Sequence, residues 1–204
     1  MKKEEFIEKI QTHRKKSEEL IEGDGGYIIK RGMAHVISGY VEDLFALYIA
    51  KNIGNKSLEF LVDKVTSIRF NPGEKAKSFK PDLSIINNGI MTHYFDLKTN
   101  LGWNRNFEEY LENKNIFIES LKGKEAWIHW EDHNQEITIS QGLKYQMVVV
   151  FGWNINQDQL RNSLIKVKAF SNIEVHVLYT NKEDNTGYEI NEIAFDEIIN
   201  SLYA

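Results

Sequence analysis

The sequence predicts one α/β domain in which a mixed β-sheet is covered by helices on both faces. Helical and extended segments alternate along most of the 204 residues, and no linker or internal repeat interrupts them. YQMVVVFGW, residues 145–153, has the length and composition of a buried strand. Residues 81–98 have the pattern of a hairpin around Asn88-Gly89. We therefore expect a single domain over 1–204, made of a helical extension (1–33), a core (34–180) and a C-terminal helix (181–204).

The first two helices follow from their apolar positions. Residues 3–22 carry apolar side chains on one face, and GDGG at 23–26 ends that helix. Residues 34–51, AHVISGYVEDLFALYIAK, are apolar over more than half of their circumference, which predicts a mostly buried helix that ends at Gly54. A charge on such a helix needs a partner, so Glu42 is a candidate functional residue. The alternative is a glutamate at the helix edge that pairs with a lysine.

Strands and helices alternate in the rest of the chain. FLVDKVTSIRF (60–70) is predicted as one strand and NPGEKAKSFK (71–80) as a loop. Asp82 opens the first hairpin strand, DLSII, and IMTHYFDLK returns after the turn. The later predictions are a helix over 105–122, two short strands around a turn in 124–140, the strand at 145–153, a helix from about 157, a strand over 173–179 and a helix over 191–203.

Composition excludes several classes of protein. The chain has no cysteine, which excludes a disulfide scaffold, a thiolate zinc site and a cysteine nucleophile. The acidic residues of MKKEEFIEKIQTHRKK argue against a signal peptide, and no apolar run is long enough to span a membrane, so we expect a cytoplasmic protein. Net charge is -5, but residues 1–105 hold 17 Lys/Arg against 14 Asp/Glu. This local basic bias suits a phosphate backbone, although chance variation among solvated faces is the commoner cause.

The hairpin brings acidic and basic side chains together. Asp96 and Lys98 project from the same face of their strand, whereas Leu97 points into the core. The turn places Asp82 across from about Tyr94 or Phe95, within one residue of Asp96. Two carboxylates this close repel each other unless a cation lies between them, and Mg²⁺ prefers such oxygen ligands. The carbonyl of Leu97 is a further candidate ligand, and Lys98 would lie beside the metal.

Pro81-Asp82 followed by Asp96-Leu97-Lys98 resembles the motif of the PD-(D/E)xK nuclease superfamily. The upstream helix with Glu42, and the helix and strand after the motif, are also similar to that family. The resemblance implies a restriction-endonuclease-like core in which Asp82 and Asp96 bind Mg²⁺, Lys98 assists the attacking water and Glu42 supports the metal. It is greatest to type II restriction endonucleases, which implies a homodimer that hydrolyses phosphodiester bonds of double-stranded DNA.

Two segments near the motif are candidate DNA contacts. TNLGWNRN offers Thr99, Asn100, Trp103, Asn104 and Arg105 directly after the motif, and the preceding loop offers Lys75, Lys77 and Lys80. Asn and Arg read base edges, Trp stacks on bases, and Lys neutralises phosphates. An ordinary loop before a helix explains the first segment as well, and solvated surface lysines explain the second.

Other functions remain compatible with the sequence. The same chemistry fits a repair, recombination or antiphage nuclease of the same fold. A non-catalytic DNA- or protein-binding module is a third reading, supported by the acidic residues 106–204, with 8 Lys/Arg against 16 Asp/Glu. The two histidines of HWEDH (129–133) lie near a predicted turn between strands and lack a third ligand, which argues against a zinc site.

Overall fold

The computed structural model describes residues 1–22, 37–99, 107–151, 162, 164–181 and 187–203, without the side chains of 17–22. Four helices have defined bounds: α1 (Lys3–Glu22), α2 (Ser38–Ile53), α3 (Phe107–Leu121) and α4 (Glu192–Ser201). The described residues 162 and 164–167, within the helix predicted from about 157, are also helical. The strands are β1 (Glu59–Val62), β2 (Thr66–Ile68), β3 (Lys77–Phe79), β4 (Leu83–Asn87), β5 (Ile90–Lys98), β6 (Glu125–His129), β7 (Asn134–Ile139), β8 (Tyr145–Phe151), β9 (Ile173–Asn181) and β10 (Tyr188–Ile190).

The strands form one mixed sheet in the order β10-β9-β8-β5-β7-β6-β2-β3, with β4 also paired to β5 and β1 paired to β4. β8 is parallel to both β5 and β9, and β7 is parallel to the start of β5. The remaining pairs are antiparallel. The predicted α/β class with a central mixed sheet flanked by helices is therefore confirmed.

Two apolar layers hold helices against the two faces of the sheet. On one face, α1, α2 and α4 pack around an aromatic cluster that includes Phe6, Phe45, Phe95 and Phe195. On the other face, α3 packs its apolar side over the middle strands. β8 is buried along its whole length because both layers cover it. The candidate site lies on the face that α3 covers.

The boundaries of most elements agree with the predictions. Gly54 caps α2 in the left-handed conformation that glycine favours, with φ +66°. The two strands of 124–140, the strand from 145, the strand from 173 and the C-terminal helix are all present. The residues 34–36, 100–106 and 152–161, and the GDGG segment, lie outside the described residues. None of the described helices is long and apolar enough to cross a membrane.

Two strand predictions were wrong. Residues 60–70 form two strands rather than one, because β1 pairs with β4 whereas β2 pairs with β3 and β6. The chain bends between them at Asp63, whose φ is +55° and whose amide donates to the Asp82 carbonyl at 3.2 Å. The predicted loop 71–80 contains the short strand β3, and β10 was not predicted.

The hairpin is confirmed, with a change of register along it. Asn88 and Gly89 have φ of +49° and +75°, as a two-residue type I′ turn requires. Asn87 pairs with Ile90, but Leu83 pairs with Phe95, because Thr92 is an extra residue on β5. This β-bulge displaces the register by one residue, so every side chain beyond it changes face.

Candidate active site

The bulge brings the two hairpin carboxylates directly opposite each other. An unbroken ladder from the turn would pair Asp82 with Phe95 and leave Asp96 on the other face. The observed pair Leu83–Phe95, continued by one residue, places Asp82 opposite Asp96 on the face covered by α3. The two carboxyl groups hydrogen bond to each other. Asp82 Oδ2 also accepts a hydrogen bond of 2.6 Å from the Leu97 amide.

Asp96 lies at the centre of a dense polar network. The residue is 7% exposed, and its Oδ1 lies 2.9 Å from the Lys98 ammonium. Its Oδ2 accepts hydrogen bonds from the hydroxyls of Tyr145, at 2.5 Å, and Tyr110, at 2.9 Å. Tyr145 comes from the neighbouring strand β8 and Tyr110 from α3. Three elements therefore hold this one carboxylate.

The paired carboxyls have opposite pKa shifts. Burial, the hydrogen bond with Asp96 and the charge of Asp96 raise the pKa of Asp82 to about 7. Burial also acts to raise the pKa of Asp96, but the hydrogen bond from Asp82 and the charge of Lys98 outweigh it and lower that pKa to about 2. Below about pH 7 the pair therefore holds one proton, because ionisation of the second of two adjacent buried carboxyl groups is costly.

A second lysine, which sequence reasoning missed, flanks the carboxylate pair. Lys114 Nζ lies 4.0 Å from Asp96 Oδ2 and 3.3 Å from the Tyr94 hydroxyl. Its ammonium also lies over the rings of Tyr94, Tyr110 and Tyr145, at 4.8 to 5.7 Å from their centroids. Burial lowers its pKa. The available sequence signal was the spacing of Tyr110 and Lys114, four residues apart on the helix after the motif.

Leu97 contacts the carboxylate pair through its backbone amide, whereas Glu42 has no described hydrogen bond or ion pair with it. The side chain of Leu97 lies in the core as predicted, and its amide positions Asp82. Glu42 is half-buried on α2, and burial together with the charge of Asp63 raises its pKa. The charge of Lys98 acts on Glu42, but no hydrogen bond or ion pair joins Glu42 to another described residue. Neither Asp82 nor Asp96 is among the groups that shift the pKa of Glu42, so its proposed support of the metal has no described contact behind it.

The predicted DNA contacts are only partly described. Lys80 pairs with Asp63 at 2.6 Å, Lys77 lies over the ring of Phe70 at 5.3 Å, and Lys75 is exposed. Thr99 is half-buried directly after β5. Asn100, Trp103, Asn104 and Arg105 lie outside the described residues. The basic side chains that are described lie on β3 and its loop, which lead directly into Pro81 and Asp82.

The donor set suits a hard divalent cation. Two facing carboxylates that share a proton provide oxygen ligands and negative charge, and Mg²⁺ can replace that proton. Within the described ranges, however, no group of three or more His, Cys, Asp or Glu side chains is arranged to hold a metal ion. Asp82 and Asp96 would therefore supply the side-chain ligands, and water or substrate oxygens the rest, as is usual for Mg²⁺.

Other polar features lie away from this pair. A cleft of about 1210 Å³ lies beside β9 and α4, and its lining includes His93, His176 and Glu197 but neither Asp82 nor Asp96. Among the described residues, neither histidine of HWEDH belongs to a group of three or more potential metal ligands. His129 contacts the Ser67 hydroxyl at 2.7 Å, and His133 contacts Asp132 at 2.7 Å. The carboxylate pair is therefore separate from this cleft.

No family model, curated protein or solved structure matches this chain. The assignment of a function therefore depends on the chemistry of the site.

Proposed function

We propose that this protein is a Mg²⁺-dependent nuclease that hydrolyses phosphodiester bonds of DNA, with Asp82, Asp96 and Lys98 as its active site. The observation that carries the proposal is the apposition of Asp82 and Asp96, with Lys98 on Oδ1 of Asp96. A buried carboxylate pair beside a lysine is costly as a purely structural feature. The same arrangement is useful where a cation and a phosphate must be held together.

Each residue has a distinct role in the proposed reaction. Asp82 and Asp96 would hold Mg²⁺, which when bound lowers the pKa of water and neutralises charge on phosphoryl oxygens. Lys98, about one-third exposed, would contact the scissile phosphate or orient the attacking water. The water gives up a proton to solvent as its oxygen bonds to phosphorus, and the bond from phosphorus to the 3′ oxygen breaks. The 3′ oxygen takes up a proton, and a 5′ phosphate is left.

The narrower assignment is a type II restriction endonuclease with a restriction-endonuclease-like core. It is supported by the order of helix, hairpin, helix and strand around the motif, and it implies a homodimer on double-stranded DNA. Lys75, Lys77 and Lys80 are then phosphate contacts near the hairpin, and Lys80 would exchange Asp63 for a phosphate. A repair, recombination or antiphage nuclease would use the same active-site chemistry.

The test is cleavage of mixed-sequence plasmid DNA by the full chain with Mg²⁺, with EDTA, and by the variant Asp96→Asn. Glu42→Gln would be tested in parallel, with Asp43→Asn as its matched control, because Asp43 is an exposed carboxylate on the same helix. We expect Mg²⁺-dependent cleavage that Asp96→Asn abolishes, Glu42→Gln weakens and Asp43→Asn leaves unchanged.

The pattern of products separates the candidate functions. Discrete fragments support a restriction enzyme, whereas a smear with the same Mg²⁺ dependence supports another nuclease of this chemistry. Absence of cleavage on many sequences, by protein that is folded by circular dichroism, would refute the nuclease. Binding of DNA without cleavage would then identify a binding module.

A further inference from the structure

We infer that Tyr110 and Tyr145 are positioning residues that leave Asp96 a single oxygen for a cation, and that they thereby favour Mg²⁺ over Ca²⁺ at this site. The inference rests on the proposed metal-dependent function. It adds a role for two residues that lie outside the sequence motif.

The two hydroxyls occupy one oxygen of Asp96. Both converge on Oδ2, Tyr145 at 2.5 Å and Tyr110 at 2.9 Å, and they lie 3.0 Å from each other. A carboxylate oxygen has two lone pairs in the carboxylate plane, so two donors leave little room for a further ligand. The other oxygen, Oδ1, pairs with the Lys98 ammonium at 2.9 Å, and because this lysine is about one-third exposed, its ammonium can turn aside toward solvent or a phosphate when an ion binds. Asp96 therefore offers Oδ1 to an incoming ion.

The surrounding structure keeps Oδ2 in this position. Tyr145 is fully buried, and its place on β8 is fixed by parallel pairing with Tyr94 on β5. The rings of Tyr94 and Tyr145 pack edge to face at 5.4 Å, and Lys114 lies against both. Rotation of the Asp96 carboxylate would break two charge-assisted hydrogen bonds inside a buried site. Such bonds are about twice as strong as neutral ones, so the observed orientation is strongly favoured.

A carboxylate with one available oxygen discriminates between the two cations. Mg²⁺ needs near-octahedral geometry, keeps several waters and binds one or two carboxylates. Ca²⁺ takes six to eight oxygens and often binds both oxygens of one carboxylate. Because Oδ2 is occupied, Asp96 meets the requirement of Mg²⁺ but lacks the second oxygen that Ca²⁺ would use.

The experiment compares Mg²⁺ and Ca²⁺ affinities by titration calorimetry of the full chain after removal of metal with EDTA. The variants are Tyr110→Phe, Tyr145→Phe and the double variant. Tyr94→Phe is the matched control, since its hydroxyl belongs to the same cluster but contacts Lys114 at 3.3 Å rather than Asp96. Thermal melts followed by circular dichroism establish that each variant is folded.

We expect the ratio of Ca²⁺ affinity to Mg²⁺ affinity to rise roughly tenfold in the double variant, a size typical for partners of metal ligands. Tyr94→Phe should leave the ratio within about twofold of the wild type. If the double variant does not fold, Tyr110→Phe alone should show a smaller rise, because Tyr110 is only half-buried.

Two results would overturn the inference, and they differ in what they say of the proposed function. If the tyrosine variants and Tyr94→Phe share the wild-type ratio, the positioning role is wrong while the metal site stands. If the wild-type chain binds neither cation, and Mg²⁺-dependent cleavage is also absent, the proposed function fails and this inference fails with it.

Discussion

Replacement of Asp82 by asparagine tests the carboxylate pair without any assumption about activity. An asparagine can accept the hydrogen bond from the Leu97 amide and donate one to Asp96, as the protonated Asp82 does. It cannot ionise. The variant Asp82→Asn should therefore keep the fold of the hairpin. Its stability should no longer fall with rising pH, because it has no second carboxyl group to ionise in the buried pair.

The sign and size of the effect follow from the shifted pKa. The pKa of Asp82 is about 7 in the folded protein against 3.8 for the free group. Between these values the folded state holds one more proton than the unfolded state, so the free energy of unfolding falls as pH rises. From pH 5 to pH 8 the fall is about 2.7 kcal/mol, because the slope is about 1.36 kcal/mol per pH unit below the folded pKa, is halved at that pKa and fades above it. Asp82 is only partly buried, so solvent screening reduces it to about 1–1.5 kcal/mol.

Asp96 does not change this slope. Its pKa is lowered to about 2, so the stability that it contributes is already complete above the pKa of the unfolded chain and is lost only at lower pH. In the range from pH 5 to pH 8, the difference between wild type and Asp82→Asn therefore reports on Asp82 alone.

The assay is urea unfolding of both proteins at several pH values from 5 to 8, followed by circular dichroism. Relative to the wild type, we expect the free energy of unfolding of Asp82→Asn to rise by about 1–1.5 kcal/mol between pH 5 and pH 8. Mg²⁺ at pH 8 should then stabilise the wild type more than the variant, because at this pH both carboxyl groups of the wild type are ionised and the cation neutralises their charge. Stability curves that stay parallel across the range would refute the shared proton.

Two further predictions concern the lysine and the turn of the hairpin. Lys98→Met should lower Mg²⁺-dependent DNA cleavage by roughly 10²-fold or more. Calorimetry should still detect Mg²⁺ binding to this variant, because Lys98 contacts Asp96 but is not a metal ligand. Loss of cleavage and of Mg²⁺ binding together would contradict the distinct role of Lys98. Gly89→Ala should lower the free energy of unfolding in urea by about 1–2 kcal/mol, because Gly89 has φ +75°. Gly39→Ala in α2 should be neutral or stabilising, because there is open space around its added Cβ. Equal effects of the two changes would argue against the turn conformation.

Local rules were enough to predict much of the fold and part of the site. The alternation of side chains along a strand placed Asp96 and Lys98 on one face, and they pair at 2.9 Å. Asn88-Gly89 specified its turn because both residues tolerate positive φ. These features depend on neighbours within a few residues, so the sequence by itself determined them.

Tertiary structure decided the register and the surroundings of the pair. Pairing with β4 leaves Thr92 as an extra residue on β5, and this one-residue displacement turns Asp96 toward Asp82. Tyr145 reaches Asp96 through the parallel pairing of β5 with β8, and Tyr110 and Lys114 reach it through the packing of α3. Such contacts join residues 14 to 49 positions apart. They depend on which surfaces pack together, and no periodicity within a single segment encodes that choice.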